Sequence, residues 1–210
     1  MLSPQYQGRT GELTVPADEL DGLDLESKVT TGIDIPAARA AVADLLLALG
    51  RDISDPHLAD TPRRVAKAFE ELLTARPADW TTFPNDEGYS DLVLVKSIPF
   101  HSLCQHHLLP FRGTAHIGYL PGDRLIGLSK LARGLELFAR DLQVQERLTV
   151  QVADWLMETL DARGAGVVLE AEHLCMSLRG VEVSGTMTTT AAFRGELRTP
   201  SPLQERFFSK

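Results

Sequence analysis

Leu92-Val93-Leu94-Val95 opens a β-rich stretch that runs to about His101. Thr114-Ala115-His116-Ile117-Gly118-Tyr119 follows as a second strand, ended by Pro121-Gly122. No helical pattern lies between these two strands. Downstream come two helices and then two more strands. Ser129 stands as the cap of a helix from Lys130 to about Arg140, with Leu131, Leu135 and Phe138 on one face. After a break near Asp141, a longer helix runs from about Gln145 to Ala162, lined by Leu148, Val152, Trp155, Leu156 and Leu160. Gly164 and Gly166 lead into a strand over Val167–Cys175, and a threonine-rich strand covers about Ser184–Phe193. Strands that come in pairs, without single crossover helices, argue against a doubly wound parallel sheet. They fit an α+β domain with an antiparallel sheet covered by helices.

Upstream the pattern is helical. Pro36–Leu49 reads as a helix with Asp34 ahead of it, Pro36 in the first turn and Gly50 at its end; Val42, Leu45, Leu46 and Leu49 form its apolar stripe. A second helix starts at Thr61-Pro62 with Thr61 as N-cap, has a buried face of Val65, Phe69, Leu72 and Leu73, and ends near Ala75. Arg76–Ser90 is the one candidate linker. Residues 1–30 are polar, acidic and weakly periodic, and read as a flexible arm. The remainder, 31–210, reads as a single domain, with a helical part over 34–76 and an α+β part over 90–198.

Composition narrows the function. The 210 residues carry 43% hydrophobic side chains, enough for a core, and a formal net charge of −8. That balance speaks against nucleic acid as the main partner, which needs a basic surface. It leaves room for a small anion, because screening over about 8 Å lets a local basic pocket prevail. The longest apolar run, Ala43–Leu49, is interrupted by Asp44 and falls short of the roughly 18–20 residues of a membrane span. The N-terminal stretch lacks the apolar core of a signal peptide. A cytoplasmic protein with reduced thiols is the expectation.

The chemistry centres on Ser102-Leu103-Cys104-Gln105-His106-His107. Cys104 and His107 have the C-x-x-H spacing common in zinc sites. Two ligands do not hold a metal, and the only other cysteine is Cys175, in His173-Leu174-Cys175. If that segment is a strand, His173 and Cys175 share a face. Two thiolates and one imidazole leave a fourth position open for water, as in catalytic zinc sites. His106 and His173 remain for proton transfer. Buried cysteines are also ordinary small hydrophobes, and that reading weakens only because both cysteines coincide with histidine pairs. His57, His101 and His116 take the structural reading.

A second set suits an anion. Lys130 and Arg133 are three apart on one helix, Ser129 and Lys130 sit at its N-terminus, Arg179 follows Cys175, and Arg64 lies in the second helix. Each of these cations is also an ordinary solvated charge. Glu146 begins the long helix, where an acid is favoured; a carboxylate there can also accept two hydrogen bonds from a guanine edge.

Together these stretches resemble GTP cyclohydrolase I. The similarity lies in Thr61-Pro62-Arg63-Arg64-Val65-Ala66, Ser102–His107, Gly127-Leu128-Ser129-Lys130-Leu131-Ala132-Arg133, Gln143-Val144-Gln145-Glu146-Arg147-Leu148-Thr149, and His173-Leu174-Cys175 with Arg179-Gly180. It covers about residues 36–198. The resemblance implies a tunnelling α+β fold in a homodecamer of two face-to-face pentamers, with active sites between subunits. It implies Zn2+ on Cys104, His107 and Cys175. His106 and His173 become acid–base histidines, and Glu146, helped by Gln145, the guanine anchor. Arg64, Ser129, Lys130, Arg133 and Arg179 would hold ribose and triphosphate. The implied reaction opens the guanine ring of GTP at C8 with loss of formate, giving 7,8-dihydroneopterin triphosphate. Such chemistry serves tetrahydrofolate or deazapurine synthesis. One position departs from the family's usual Cys-Glu-His-His: Gln105 keeps the shape of the glutamate and loses its charge. A pterin-binding subunit without turnover and a nitrile reductase of related fold are the competing readings; retention of every ligand and both histidines opposes the first, and the metal site opposes the second.

Overall fold

A computed structural model describes residues 32–209, so the N-terminal arm read at 1–30 lies outside the described residues. The chain opens with α1 (Ile35–Ala48). Asp34 caps it, its carboxylate accepting the Ala37 N–H at 2.9 Å, and Pro36 occupies the first turn. α2 (Thr61–Leu73) packs against it, with Val65, Phe69, Leu72 and Leu73 half-buried and only Pro62 and Ala66 fully buried. Two expectations are corrected here. The stripe on α1 is only half covered: Val42 and Leu46 are half-buried while Leu45 and Leu49 are 56% and 62% exposed, because α1 rests on α2 and not on the sheet. Thr61 is the first helical residue and not the cap. Asp60 precedes it, and its carboxylate is drawn to the Arg63 guanidinium at 2.7 and 2.6 Å and so caps no N–H.

The region read as a linker contains a short strand, β1 (Thr82–Pro84), paired antiparallel with β4 (Arg124–Ile126). The main sheet follows the expected scheme. β2 (Val93–Cys104) and β3 (Pro110–Leu120) form an antiparallel hairpin, joined by β6 (Gly164–His173) and β7 (Met187–Gly195), also antiparallel. The order is β5-β2-β3-β6-β7, and its edge departs from expectation: β5 (Leu142–Gln143) runs parallel to β2. The α+β reading holds for the described residues.

α3 (Leu128–Ala139) and α4 (Gln145–Leu160) lie on one face of the sheet. Gly127, not Ser129, precedes α3, so Ser129 is in its first turn. The 3.6-residue spacing of Leu148, Val152, Trp155, Leu156 and Leu160 puts all five against the sheet, fully buried, facing Phe111, Ala115, Ile117 and Tyr119. α4 ends where Asp161 adopts the left-handed conformation at φ 47. α3 meets α4 at Gly134, whose missing side chain admits the Trp155 indole: a Cβ there would stand 2.3 Å from two ring carbons. A smaller cluster of Leu92, Leu120, Val168, Leu197 and Phe207 packs α6 (Pro202–Phe208) beside the sheet, an element the sequence reading did not contain.

The strand expected over Val167–Cys175 is shorter. β6 ends at His173, and the chain turns into α5 (Leu174–Ser177). No helix among the described residues is long and apolar enough to cross a membrane.

Candidate metal centre

The end of β2, the turn after it, and α5 meet at one place. Cys104 is the last residue of β2 and is buried. A tight turn follows it. Cys104 donates its N–H to the Leu109 carbonyl at 2.9 Å, and its own carbonyl accepts from the N–H groups of His107 and Leu108 at 3.2 and 2.9 Å. Leu108 takes a positive φ of 55 to close the loop. Gln105 is exposed, and its N–H reaches the Gln143 carbonyl at 3.0 Å, bracing the turn on β5. The turn places His106 and His107 on the surface beside the Cys104 thiol. Their Nδ1 atoms lie 3.8 and 3.7 Å from Sγ.

Cys175 approaches from the other side. Cys104, His107 and Cys175 each offer a ligand atom, and all three atoms lie within 4.8 Å of one another. A strand through Cys175 would set it on one face with His173. The structure instead brings Cys175 in on the helical turn of α5, and the grouping results from tertiary packing. Both cysteines are free and buried. Burial pushes the Cys175 thiol up, and the neighbouring Cys104 sulfur adds to that, with Arg179 opposing. Two buried sulfurs held this close, without a disulfide, are costly as thiolates unless a cation sits among them. The donor set and its spacing therefore fit a metal ion held by three protein ligands.

His173 adjoins this group as the last residue of β6. Its ring stacks on Phe111, its partner across β3, with centroids 4.7 Å apart and planes 3° from parallel. Its Nε2 lies 2.8 Å from Gln145 Oε1. Burial holds the imidazole below the ordinary histidine value, while the Glu146 carboxylate pulls the other way. Glu146 is exposed in the first turn of α4. Gln145, expected beside Glu146 as an aid to the guanine anchor, points inward instead. It is 1% exposed, and its amide is engaged by Leu169, Thr188, Thr190 and His173. The structure uses it to hold His173.

A histidine whose proton affinity the fold lowers gives a pH dependence of defined sign. Between the lowered folded value and the ordinary 6.5, the unfolded chain binds more protons than the folded one. Unfolding free energy therefore rises with pH across that window and falls as pH drops through it. Thermal melts of metal-free protein are expected to show this slope, and His173→Asn is expected to flatten it; an unchanged slope in the variant assigns the effect to other groups.

The cationic set is distributed differently. Ser129 and Arg133 line a cavity of about 350 Å3 with His101, Arg76, Glu136 and Arg140, and no residue of the metal cluster lines it. Lys130 is largely buried and donates to Asp79 at 2.8 Å. That hydrogen bond is the main cause holding the Asp79 carboxyl down at about 2. Arg64 is tied to Asp60 at 3.3 Å and to Thr61 at 3.1 Å. Arg179 is exposed after α5. The single chain thus assembles the metal cluster, His106, His173 and Glu146 at one end, and holds Ser129 and Arg133 at another surface. Asp79 and Phe111 were not singled out in the sequence: the first lies in the stretch read as linker, and the second is revealed only by strand register.

The family model described as GTP cyclohydrolase I matches residues 38–210. A protein of Mycobacterium leprae (strain Br4923) named GTP cyclohydrolase 1 is 51% identical over 185 residues, covering 84% of this chain and 90% of its own. A protein of that name from Mycobacterium ulcerans (strain Agy99) is 50% identical over 179 residues, covering 83% and 89%. One from Allorhizobium ampelinum is 49% identical over 177 residues, covering 82% and 88%. A solved structure described as the archaeosine synthase QueF-Like in the apo form shares 14% identity over 50% of this chain at a TM-score of 0.40, too distant to bear on the fold or the chemistry. On the match across nearly all of the described residues and half-identity to these relatives, the chain belongs to the GTP cyclohydrolase I family and is an enzyme of that type.

Proposed function

We propose that the protein hydrolyses the guanine ring of GTP at C8, releases formate and forms 7,8-dihydroneopterin 3′-triphosphate, with zinc as its metal. The observation that carries this is the grouping of Cys104, His107 and Cys175 beside two histidines and an exposed glutamate. Two thiolates and one imidazole are a donor set that suits zinc over magnesium or calcium. Bound there, zinc supplies Lewis acidity and makes water nucleophilic near neutral pH.

The chain's own residues do the rest. Glu146 accepts two hydrogen bonds from the N–H groups of the guanine edge and turns C8 toward the ligand cluster. His173 donates a proton to N7, which makes C8 electrophilic. His106, exposed beside Cys104, serves the second proton transfer as the imidazole ring opens to a formamide and formate departs. The ribose then rearranges and closes onto the pyrimidine. Arg179, Arg64, Ser129, Lys130 and Arg133 hold the ribose and triphosphate.

In one chain Ser129 and Arg133 face a different cavity from the metal cluster. The rim of that cluster is also apolar and open: Leu108, Leu178 and Val181 are 50%, 67% and 68% exposed. Both features support a homo-oligomer, a decamer in the family's tunnelling arrangement, whose active sites form between subunits. Cytoplasmic location and a role in tetrahydrofolate or deazapurine synthesis accompany this reading.

The test is formate and pterin formation from GTP by zinc-loaded protein, compared with Glu146→Ala. A hydrogen bond to a charged group contributes about 1.5–3 kcal/mol, so losing two is expected to cut kcat/KM by about 100-fold or more. Tight GTP binding with no formate from the wild type contradicts the reading.

A further inference from the structure

We infer that Gln145 is a positioning residue: it fixes a hydrogen on Nε2 of His173 and leaves Nδ1 as the nitrogen that exchanges its proton with substrate. The inference rests on His173 acting as the acid–base group proposed above. It adds which ring atom acts and what sets it.

An amide's oxygen and nitrogen have the same shape, and only their neighbours tell them apart. One end of the buried Gln145 amide meets the carbonyl oxygens of Leu169 and Thr188 at 3.1 and 2.9 Å. Carbonyls only accept, so this end is the NH2 group. The same end lies 3.1 Å from Thr190 Oγ1. That hydroxyl can share one of the two amide hydrogens with a carbonyl and give its own hydrogen elsewhere. It has a place to go: Thr149 Oγ1 lies 2.6 Å away, and Thr149 itself donates to the Gln145 backbone carbonyl at 2.7 Å. The two amide hydrogens are shared among three acceptors, and because two of those are carbonyls the amide has one orientation. Turning it over would set its oxygen against two carbonyls.

The remaining end, Oε1, can only accept. It lies 2.8 Å from His173 Nε2, which must then be the donor. The Phe111 ring, stacked on the imidazole, holds the plane in which that bond is made. In the imidazolium both nitrogens carry hydrogen. When the proton is given up, the Nδ1–H bond breaks and its electron pair stays on Nδ1. The proton passes to the ring nitrogen of the substrate, and Nε2–H stays on Gln145.

The test reads the tautomer directly. Full-length protein labelled with 15N-histidine is examined by NMR, metal-free and zinc-loaded, without substrate. His173 is assigned by the signals lost in His173→Asn. The expected result is a protonated Nε2 and an unprotonated Nδ1 in the neutral ring. Gln145→Met, similar in length and apolar, is expected to mix the tautomers. It should lower kcat by about 10- to 100-fold, the usual cost of losing a group that orients a reactive imidazole, with KM for GTP and metal content unchanged. A wild-type ring protonated on Nδ1 overturns the inference, whether or not the Met variant folds. So does a Gln145→Met tautomer ratio equal to that of the wild type. Undiminished formate release by His173→Asn overturns the acid–base reading and the role of Nδ1 with it; the two failures are distinguishable because the spectrum is read without turnover.

Discussion

Cys175→Ser protein is expected to lose its bound metal and to release formate from GTP more than about 100-fold more slowly than wild type, beyond the cost of changes to groups that only orient a ligand. The cause is arithmetic in ligands. Three donor atoms lie within 4.8 Å of one another, and no fourth His, Cys, Asp or Glu among the described residues completes the group. Removing one leaves a thiol and an exposed imidazole. Serine is nearly isosteric but keeps its proton at neutral pH, so it cannot replace a thiolate. The buried Cys104 sulfur then faces no like charge. The fold is therefore expected to survive, and the variant to melt near the metal-free wild type. Metal analysis by mass spectrometry reads the first effect and formate assay the second. Full metal content in the variant, with unchanged formate release, removes Cys175 from the site.

The largest effect on stability is expected at Trp155. Its side chain is 1% exposed, fills the space left by Gly134, and meets Trp80 edge-on with centroids 4.9 Å apart. Trp155→Ala removes the plug between α3 and α4 and frees the segment in which Trp80 follows Asp79, the partner of Lys130. A cost of about 3–5 kcal/mol follows from large-to-small substitution in a packed core. At about 2–4 °C per kcal/mol for a chain of this size, a melting curve resolves it easily. Gly134→Ala approaches the same contact from the other side. It drives a methyl to 2.3 Å from the indole and is expected to cost about 1–3 kcal/mol by overpacking. The two changes share one space, so they couple: Gly134→Ala is expected to cost less in a Trp155→Phe background than alone. Equal costs in both backgrounds would mean that the indole does not rest on Gly134.

What the sequence made legible follows the range of the physical rule involved. The stripe of α4 was readable because a helix face is set by neighbours three and four residues apart, and its five residues are buried as expected. Paired strands and the absence of single crossovers gave the α+β class. The α1 stripe misled because periodicity marks an apolar face without saying what covers it; here Leu45 and Leu49 face outward. Thr61 lost the cap position because Asp60 precedes it and is paired with Arg63. The metal cluster was legible as chemistry, from two cysteines and a C-x-x-H spacing. It was not legible as geometry: alternation along a strand was the stated reason for Cys175, and the chain leaves the strand at His173. Gln145 was quoted in a motif, but its inward amide depends on Leu169, Thr188 and Thr190, which are far along the chain and carry no local signal.

On the proposed reading, the Cys104, His107 and Cys175 group holds the metal on which guanine hydrolysis depends. The direct measurement is formate release from GTP by one preparation as isolated, after removal of metal with a chelator, and after return of zinc. Formate release is expected to fall to background on stripping, in protein that keeps its fold by circular dichroism, and to return with about one zinc per chain, the count for one three-ligand site. Formate release that persists undiminished in fully stripped protein contradicts it.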